Sequence, residues 1–155
     1  MLRISRLTDY ATVILSVLAA QPQSVQTAAA VAARTGIAAP TARKLLKQLH
    51  HAGLVVSSRG LRGGYRLARS AQQISAAQIL DALEGPLAIT DCAAGIGHCG
   101  IEHTCRVARG WQRLSMAVRR TLAEVSLAQL AGLDAAAAIA MPVHPSERST
   151  ANDHE

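Results

Sequence analysis

PTARKLLKQLHHAGLVVSSRGLRGGYRLA, residues 40–68, decides the fold. Pro40 suits the first position of a helix, where its missing N–H costs nothing. Ala42, Leu45, Leu46 and Leu49 then recur at helical spacing and make one apolar face. The other face carries Thr41, Arg43, Lys44, Lys47 and Gln48, and Gly53 ends the helix near His51. Leu54-Val55-Val56 is a short β-prone run. Ser57 to Gly64 is a Gly- and Arg-rich turn, and Tyr65 to Ala68 is a second strand. Strand, loop and strand directly after a helix with one basic face predict a wing. Arg59 and Arg62 stand at its tip, where a narrow minor groove attracts arginine.

Upstream, Thr27 is a natural N-cap for a helix over Ala28–Thr35. Gly36 supplies the turn into the basic helix, and Ile37 anchors it. Two helices joined this way, the second with an apolar and a basic face, form a helix-turn-helix. A charged helical hairpin would give part of the same pattern, but the wing raises its specificity. A further helix is expected over Leu7–Ala20, with Leu7, Tyr10, Ala11, Ile14, Leu15 and Leu18 on its apolar face. Asp9, Thr12 and Ser16 lie opposite. Met1–Gln21 has some features of a signal peptide, but its apolar run is short, follows Asp9, and works as a core helix.

Charge agrees with the pattern. Residues 1–70 hold ten Lys or Arg and one acid, Asp9, so 10 − 1 = +9; residues 71–155 hold six Arg and nine acids, so 6 − 9 = −3. A basic head on an acidic remainder is the footprint of nucleic-acid binding. No apolar run is long enough to cross a bilayer. Phe is absent and aromatics are limited to Tyr10, Tyr65 and Trp111, so the core is aliphatic, which suits packed helices.

Downstream, Ser75 and Gln78 make a capping box for a helix over Ile74–Leu83, broken by Gly85-Pro86. DCAAGIGHCGIEHTC, residues 91–105, holds all three cysteines. Val107, Trp111, Leu114, Val118, Leu122 and Val125 then form one apolar stripe on a long helix over Arg106–Val125. Such a stripe, after a head with its own core, predicts packing on a second copy of the chain. Ser126 and Gln129 open a short last helix to about Leu133. The remainder, Pro- and polar-rich, is expected to be disordered.

An odd number of cysteines in one loop suits a reducing compartment and a bound metal better than disulfides. The spacing C-x6-C-x5-C lacks the tight pairs of zinc fingers. Three thiolates suit an iron–sulfur cluster and leave one position open. A structural zinc and a bare thiol switch stay open beside it. His98, His103, Asp91, Glu102 and the distant Asp9 are the candidate fourth ligands.

The ordered set LTDYA, PTARKLLKQLHHAGLV, SSRGLRGGYRLAR and three cysteines before a long helix resembles the IscR/NsrR-type winged-helix transcription regulators, the Rrf family. The resemblance covers about residues 1–133. It implies a cytoplasmic bacterial homodimer, in many members with an iron–sulfur cluster that controls cluster-assembly, nitric-oxide or redox genes. By position, Cys92, Cys99 and Cys105 match the cluster cysteines. The cluster-assembly branch often has a histidine three residues after the last cysteine; this chain has Ala108. Asp9 lies in a TD motif that resembles the nitric-oxide-sensing branch, where the aspartate reaches the partner subunit's cluster. It is also the only acid in the basic head. Asp9 is therefore the expected fourth ligand, with His103 next. The first cysteine gap is one residue longer than the commonest spacing, so 2Fe–2S and 4Fe–4S both stay open. Glu102-x-x-Cys105 resembles regulators of the SUF cluster-assembly operon.

The expected fold is mainly α with a small β-hairpin wing: a winged helix-turn-helix plus a long dimerisation helix. Its expected parts are the DNA-binding domain (1–70), a connecting helix (71–90), the cluster loop (91–105), the dimerisation and terminal helices (106–133) and a tail (134–155). The expected function is cytoplasmic, cluster-sensing repression of iron–sulfur assembly genes. The homodimer binds double-stranded operator DNA through Thr41, Arg43, Lys44, Lys47, Arg59 and Arg62, with no membrane partner. A nitric-oxide or redox-responsive regulator is the alternative within the class. An iron–sulfur redox or carrier protein is the alternative outside it, though a carrier has no use for an arginine wing. No nucleophile–base or phosphate-loop constellation points to an enzyme.

Overall fold

The computed structural model describes residues 4–94, 99–101 and 104–134, without the side chains of Cys92 and Ala94. Among these residues the helices are α1 (Arg6–Ala19), α2 (Ala28–Thr35), α3 (Ala39–His51), α4 (Ala76–Glu84), α5 (Asp91–Ala94), α6 (Ala108–Glu124) and α7 (Leu127–Leu130). One antiparallel hairpin, β1 (Val55–Ser58) and β2 (Gly64–Leu67), follows α3. The mainly α architecture with a small wing is the one the pattern predicts. The tail from residue 135, expected to be disordered, lies outside the described residues.

Ser5 caps α1 by accepting the Thr8 N–H. Ala11, Ile14, Leu15 and Leu18 turn inward and are fully buried or nearly so. Thr8, not Leu7, completes that face: Thr8 is 2 % exposed and Leu7 40 %. The physical reason is a partner. The Thr8 hydroxyl donates to Glu84 at the end of α4, so a polar side chain can be buried there.

Thr27 caps α2 by accepting the Ala30 N–H, and Gly36 leaves α2 at φ +71°, a left-handed turn that favours glycine. Ile37 is buried in that turn. The next helix, α3, starts one residue before Pro40, which still lies in the first turn. Ala42, Leu45, Leu46 and Leu49 are all fully buried, as their spacing requires.

The hairpin pairs Val55 with Leu67 and Ser58 with Gly64. A third strand position, absent from the sequence pattern, braces it. Gln26 N–H donates to the Tyr65 carbonyl at 2.9 Å, and Tyr65 N–H donates back at 2.8 Å.

The core of the head draws on residues well beyond 70. Ile74, Ile79, Leu127 and Ala128 join Ile14, Leu15 and Leu49 in one cluster. The capping boxes Ser75–Gln78 and Ser126–Gln129 both form. The two serines also face each other across a β-bridge: Ala76 N–H donates to Val125 O and Leu127 N–H to Ile74 O. The start of α4 is thereby fixed to the junction of α6 and α7. No described helix is long and apolar enough to cross a membrane.

Candidate nucleic-acid interface and cysteine loop

Arg43, Lys44 and Lys47 are exposed on the outer face of α3, with Thr41 half-buried at its start. Arg59 and Arg62 are exposed at the hairpin tip. None of these cations has an ion-pair partner among the described residues. Two contacts fix helix and wing relative to each other. His50, near the end of α3, donates Nδ1–H to the Val55 carbonyl at 3.1 Å. The Gln26–Tyr65 bridge holds the other strand. Gly64 makes that bridge possible, because a Cβ there would lie 2.5 Å from the Gln26 carbonyl oxygen.

Not every basic residue of the head faces outward for DNA. Arg34 donates to the side-chain oxygens of Gln21 at 3.0 Å and Gln26 at 2.9 Å. Gln26 is buried and was invisible to periodicity, since one bridge residue leaves no pattern.

The cysteine loop is tied to α6 at several points. Asp91–Ala94, expected as loop, forms the short helix α5 and packs on α6. Just before it, Ile89 N–H donates to the buried Ser115 hydroxyl in the middle of α6. Cys99 and Cys105 are half-buried free thiols, and Cys105 leads into α6. The Cys92 side chain, His98, Glu102 and His103 lie outside the described residues. Among the described ones, no three potential metal ligands group together.

Asp9 is exposed and stands elsewhere. It borders a cavity of about 640 Å³ lined by Ile4, Ile79, Leu80, Leu122, Val125 and Leu130. Leu122 and Val125 belong to the far end of α6 from Cys105. Seventeen residues of helix separate the two ends, about 25 Å. Within one protomer the length of α6 thus lies between Cys105 and the part of the cavity wall that Leu122 supplies.

The first half of the apolar stripe of α6 (Val107, Trp111, Leu114) is open in the protomer, while Val118, Leu122 and Val125 are half-buried. Ala108 and Ser115 are buried against the protomer's own helices, whereas Val107 is 61 % and Leu114 45 % exposed. Each exposed residue precedes a buried one by one position, about 100° around the helix. One face of α6 is thus used internally, and the more apolar face is left open over its first half. Arg119 secures the internal face through Asp81 on α4 at 2.6 Å, and that bond raises the guanidinium pKa further.

The description of the Rrf2 family, iron-dependent transcriptional regulator, matches residues 4–132. This chain belongs to the Rrf2 family. IscR of Vibrio parahaemolyticus is 31 % identical over 119 residues, 77 % of this chain and 70 % of its own length. A Synechocystis protein named as an HTH-type transcriptional regulator, slr0846, is 41 % identical over 87 residues, 56 % of this chain. The chain spans 59 % of the length of that relative. Among solved structures, CymR of B. subtilis, the global cysteine regulator, has a TM-score of 0.68 at 28 % identity over 86 % of this chain and 99 % of its own. T. potens IscR has a TM-score of 0.63 at 26 % identity over 86 % of this chain and 89 % of its own. As an Rrf2 member the chain has the winged-helix fold of a family described as iron-dependent transcriptional regulators.

Proposed function

We propose that this Rrf2 protein is a cytoplasmic homodimer that senses an iron–sulfur cluster and represses iron–sulfur assembly genes of the SUF type. The observation that carries the reading is the anchoring of the cysteine loop on α6. Cys92, Cys99 and Cys105 would hold the cluster, which supplies a group whose presence follows iron supply and oxidants. The thiol chemistry of the loop fits such a group, with Cys99 and Cys105 free and half-buried. A change in the loop reaches Ser115 and α5, hence α6. From α6 it passes through Arg119–Asp81 to α4, and through Glu84 to the first turn of α1 in the DNA-binding head.

The sequence of α6 supports the dimer. Its stripe reads nearly the same in both directions: Val107 mirrors Val125, Trp111 mirrors Leu122 within one residue, and Leu114 mirrors Val118. A twofold axis needs this self-complementarity. Antiparallel packing about that centre sets Trp111 of one protomer beside the apolar cavity of the other. It also sets Cys105 of one protomer near Asp9 of the other. Asp9 would thus serve as fourth ligand across the interface, and the dimer would space the two recognition helices over paired half-sites. Thr41, Arg43, Lys44 and Lys47 enter the major groove, and Arg59 and Arg62 the minor groove.

The likeness to CymR favours a second reading, a cluster-free thiol switch at Cys99 and Cys105. One experiment separates the two. The protein is isolated anaerobically, its iron, sulfide and visible absorption are measured, and duplex DNA is titrated before and after chelation. Iron with sulfide, and DNA affinity that changes on chelation, are expected; linkage then requires DNA to favour one cluster state. Colourless protein without iron or sulfide, responding to oxidant alone, supports the thiol switch.

A further inference from the structure

Leu61 is the most exposed large apolar side chain among the described residues, at 108 % relative exposure where the next, Ile101, has 66 %. It stands at the outermost point of the wing. Gly63 N–H donates to the Gly60 carbonyl at 2.9 Å, so Leu61 and Arg62 are the two corners of a β-turn. Exposed corners usually go to Pro, Asn, Asp, Gly or Ser. The wing does not fold back to cover this leucine. Its base is braced by Gln26, and its turn is tight: a Cβ on Gly63 would lie 2.5 Å from the Ser58 carbonyl oxygen.

A lone exposed leucine on an ordinary surface needs no explanation. This one is flanked by Arg59 and Arg62, on the part of the chain best suited to a polyanion. The floor and walls of a minor groove combine phosphate rows with the carbon surfaces of sugars and base edges. Arginine matches the first and leucine the second.

We infer that Leu61 is a minor-groove wedge. Its side chain enters between the two arginines, covers its carbons with deoxyribose and base edges, and opens the base step beneath it. The duplex then bends, and easily unstacked pyrimidine–purine steps are preferred at that place. The inference rests on the reading of the wing as a DNA contact. The two claims separate because arginine and leucine leave different signatures. Loss of a phosphate contact lowers the salt dependence of binding, by about one unit of slope. Loss of an apolar wedge lowers affinity at every salt concentration and straightens the DNA.

The probe is an end-labelled duplex recovered from a random-sequence pool with the full-length protein. It is titrated across a salt series, with end-to-end energy transfer as the measure of bend. Leu61→Ala is expected to bind about tenfold more weakly, with unchanged salt slope and a smaller bend. Leu61→Phe is expected to keep the bend. Arg62→Ala is expected to lower the slope. If Leu61→Ala keeps the affinity and bend of the wild type while Arg62→Ala is weakened, the wedge falls and the wing contact stands. If Leu61→Ala, Arg59→Ala and Arg62→Ala all behave as wild type, both fall. A straight wild-type complex also overturns the wedge.

Discussion

The Thr8 hydroxyl donates to Glu84 Oε1 at 2.6 Å and ties the first turn of α1 to the last residue of α4. The Ser5 N–H reaches the same oxygen at 3.0 Å. The Thr8 bond first, and the Ser5 bond after it, favour the ionised carboxylate and hold the Glu84 pKa below its ordinary value. A folded-state pKa that is depressed contributes stability above the ordinary carboxylate value, about pH 4.3, and loses it as pH falls through the folded-state value. Acidification below about pH 4 should therefore lower the urea midpoint of the wild type more than that of Glu84→Gln. The carboxamide oxygen still accepts from Thr8 but does not titrate. At neutral pH, Glu84→Ala should cost about 0.5–1 kcal/mol, since the group is solvent-exposed. Equal acid sensitivity of wild type and Glu84→Gln would remove Glu84 from the account.

Gly64→Ala meets backbone, not a flexible side chain. The added Cβ would lie 2.5 Å from Gln26 O and 2.7 Å from the Gln26 carbonyl carbon. The bridge to Tyr65 must open, at a cost of roughly 2–3 kcal/mol. Hydrogen exchange at the Tyr65 amide should accelerate, and duplex affinity should fall with the wing no longer braced. Wild-type protection at Tyr65 in a folded variant would count against this view.

These two contacts mark the border of what the sequence makes legible. Thr27, Gly36, Ser75 and Ser126 act on backbone groups within a few residues of themselves, so their roles can be read locally. The buried face of α3 follows from its period for the same reason. Thr8 and Glu84 are separated by 76 residues, and Arg119 and Asp81 by 38, so no local pattern joins them. Gln26 contributes one bridge residue, and α5 one turn in a Gly- and Ala-rich stretch; neither is long enough to show a period. The cysteines were legible as a set, and Asp9 as an oddity of charge. The cavity that Asp9 borders was not, because it joins α1 to residues more than a hundred positions away.

Trp111 is the only tryptophan, 38 % exposed in the protomer, so its fluorescence can report without labelling on the α6 interface of the proposed dimer. Emission should shift to the red on dilution, in step with dimer dissociation measured by sedimentation. Leu130→Arg places a charge at the rim of the cavity that would receive Trp111 in the proposed dimer. Leu130 is 49 % exposed, so the fold should survive by circular dichroism while the dimer weakens roughly tenfold or more. Emission that stays constant through dissociation would place Trp111 outside the interface.

Asp9→Ala tests the fourth ligand, and a mixed dimer tests which subunit supplies it. Each homodimer, Asp9→Ala or Cys105→Ser, should show weakened or altered cluster absorption while remaining folded. In a heterodimer of the two, one site combines the intact cysteines of the first protomer with the intact Asp9 of the second. The other site lacks both. Ligation across the interface therefore predicts recovery of one wild-type site per dimer, about half the wild-type absorption, with a wild-type spectrum. Ligation within a protomer predicts none, since each protomer then carries its own defect. The length of α6, about 25 Å, favours recovery, because Cys105 precedes one end of the helix and the cavity that Asp9 borders is lined by Leu122 near the other. An Asp9→Ala homodimer with an unaltered spectrum would pass the role to His103.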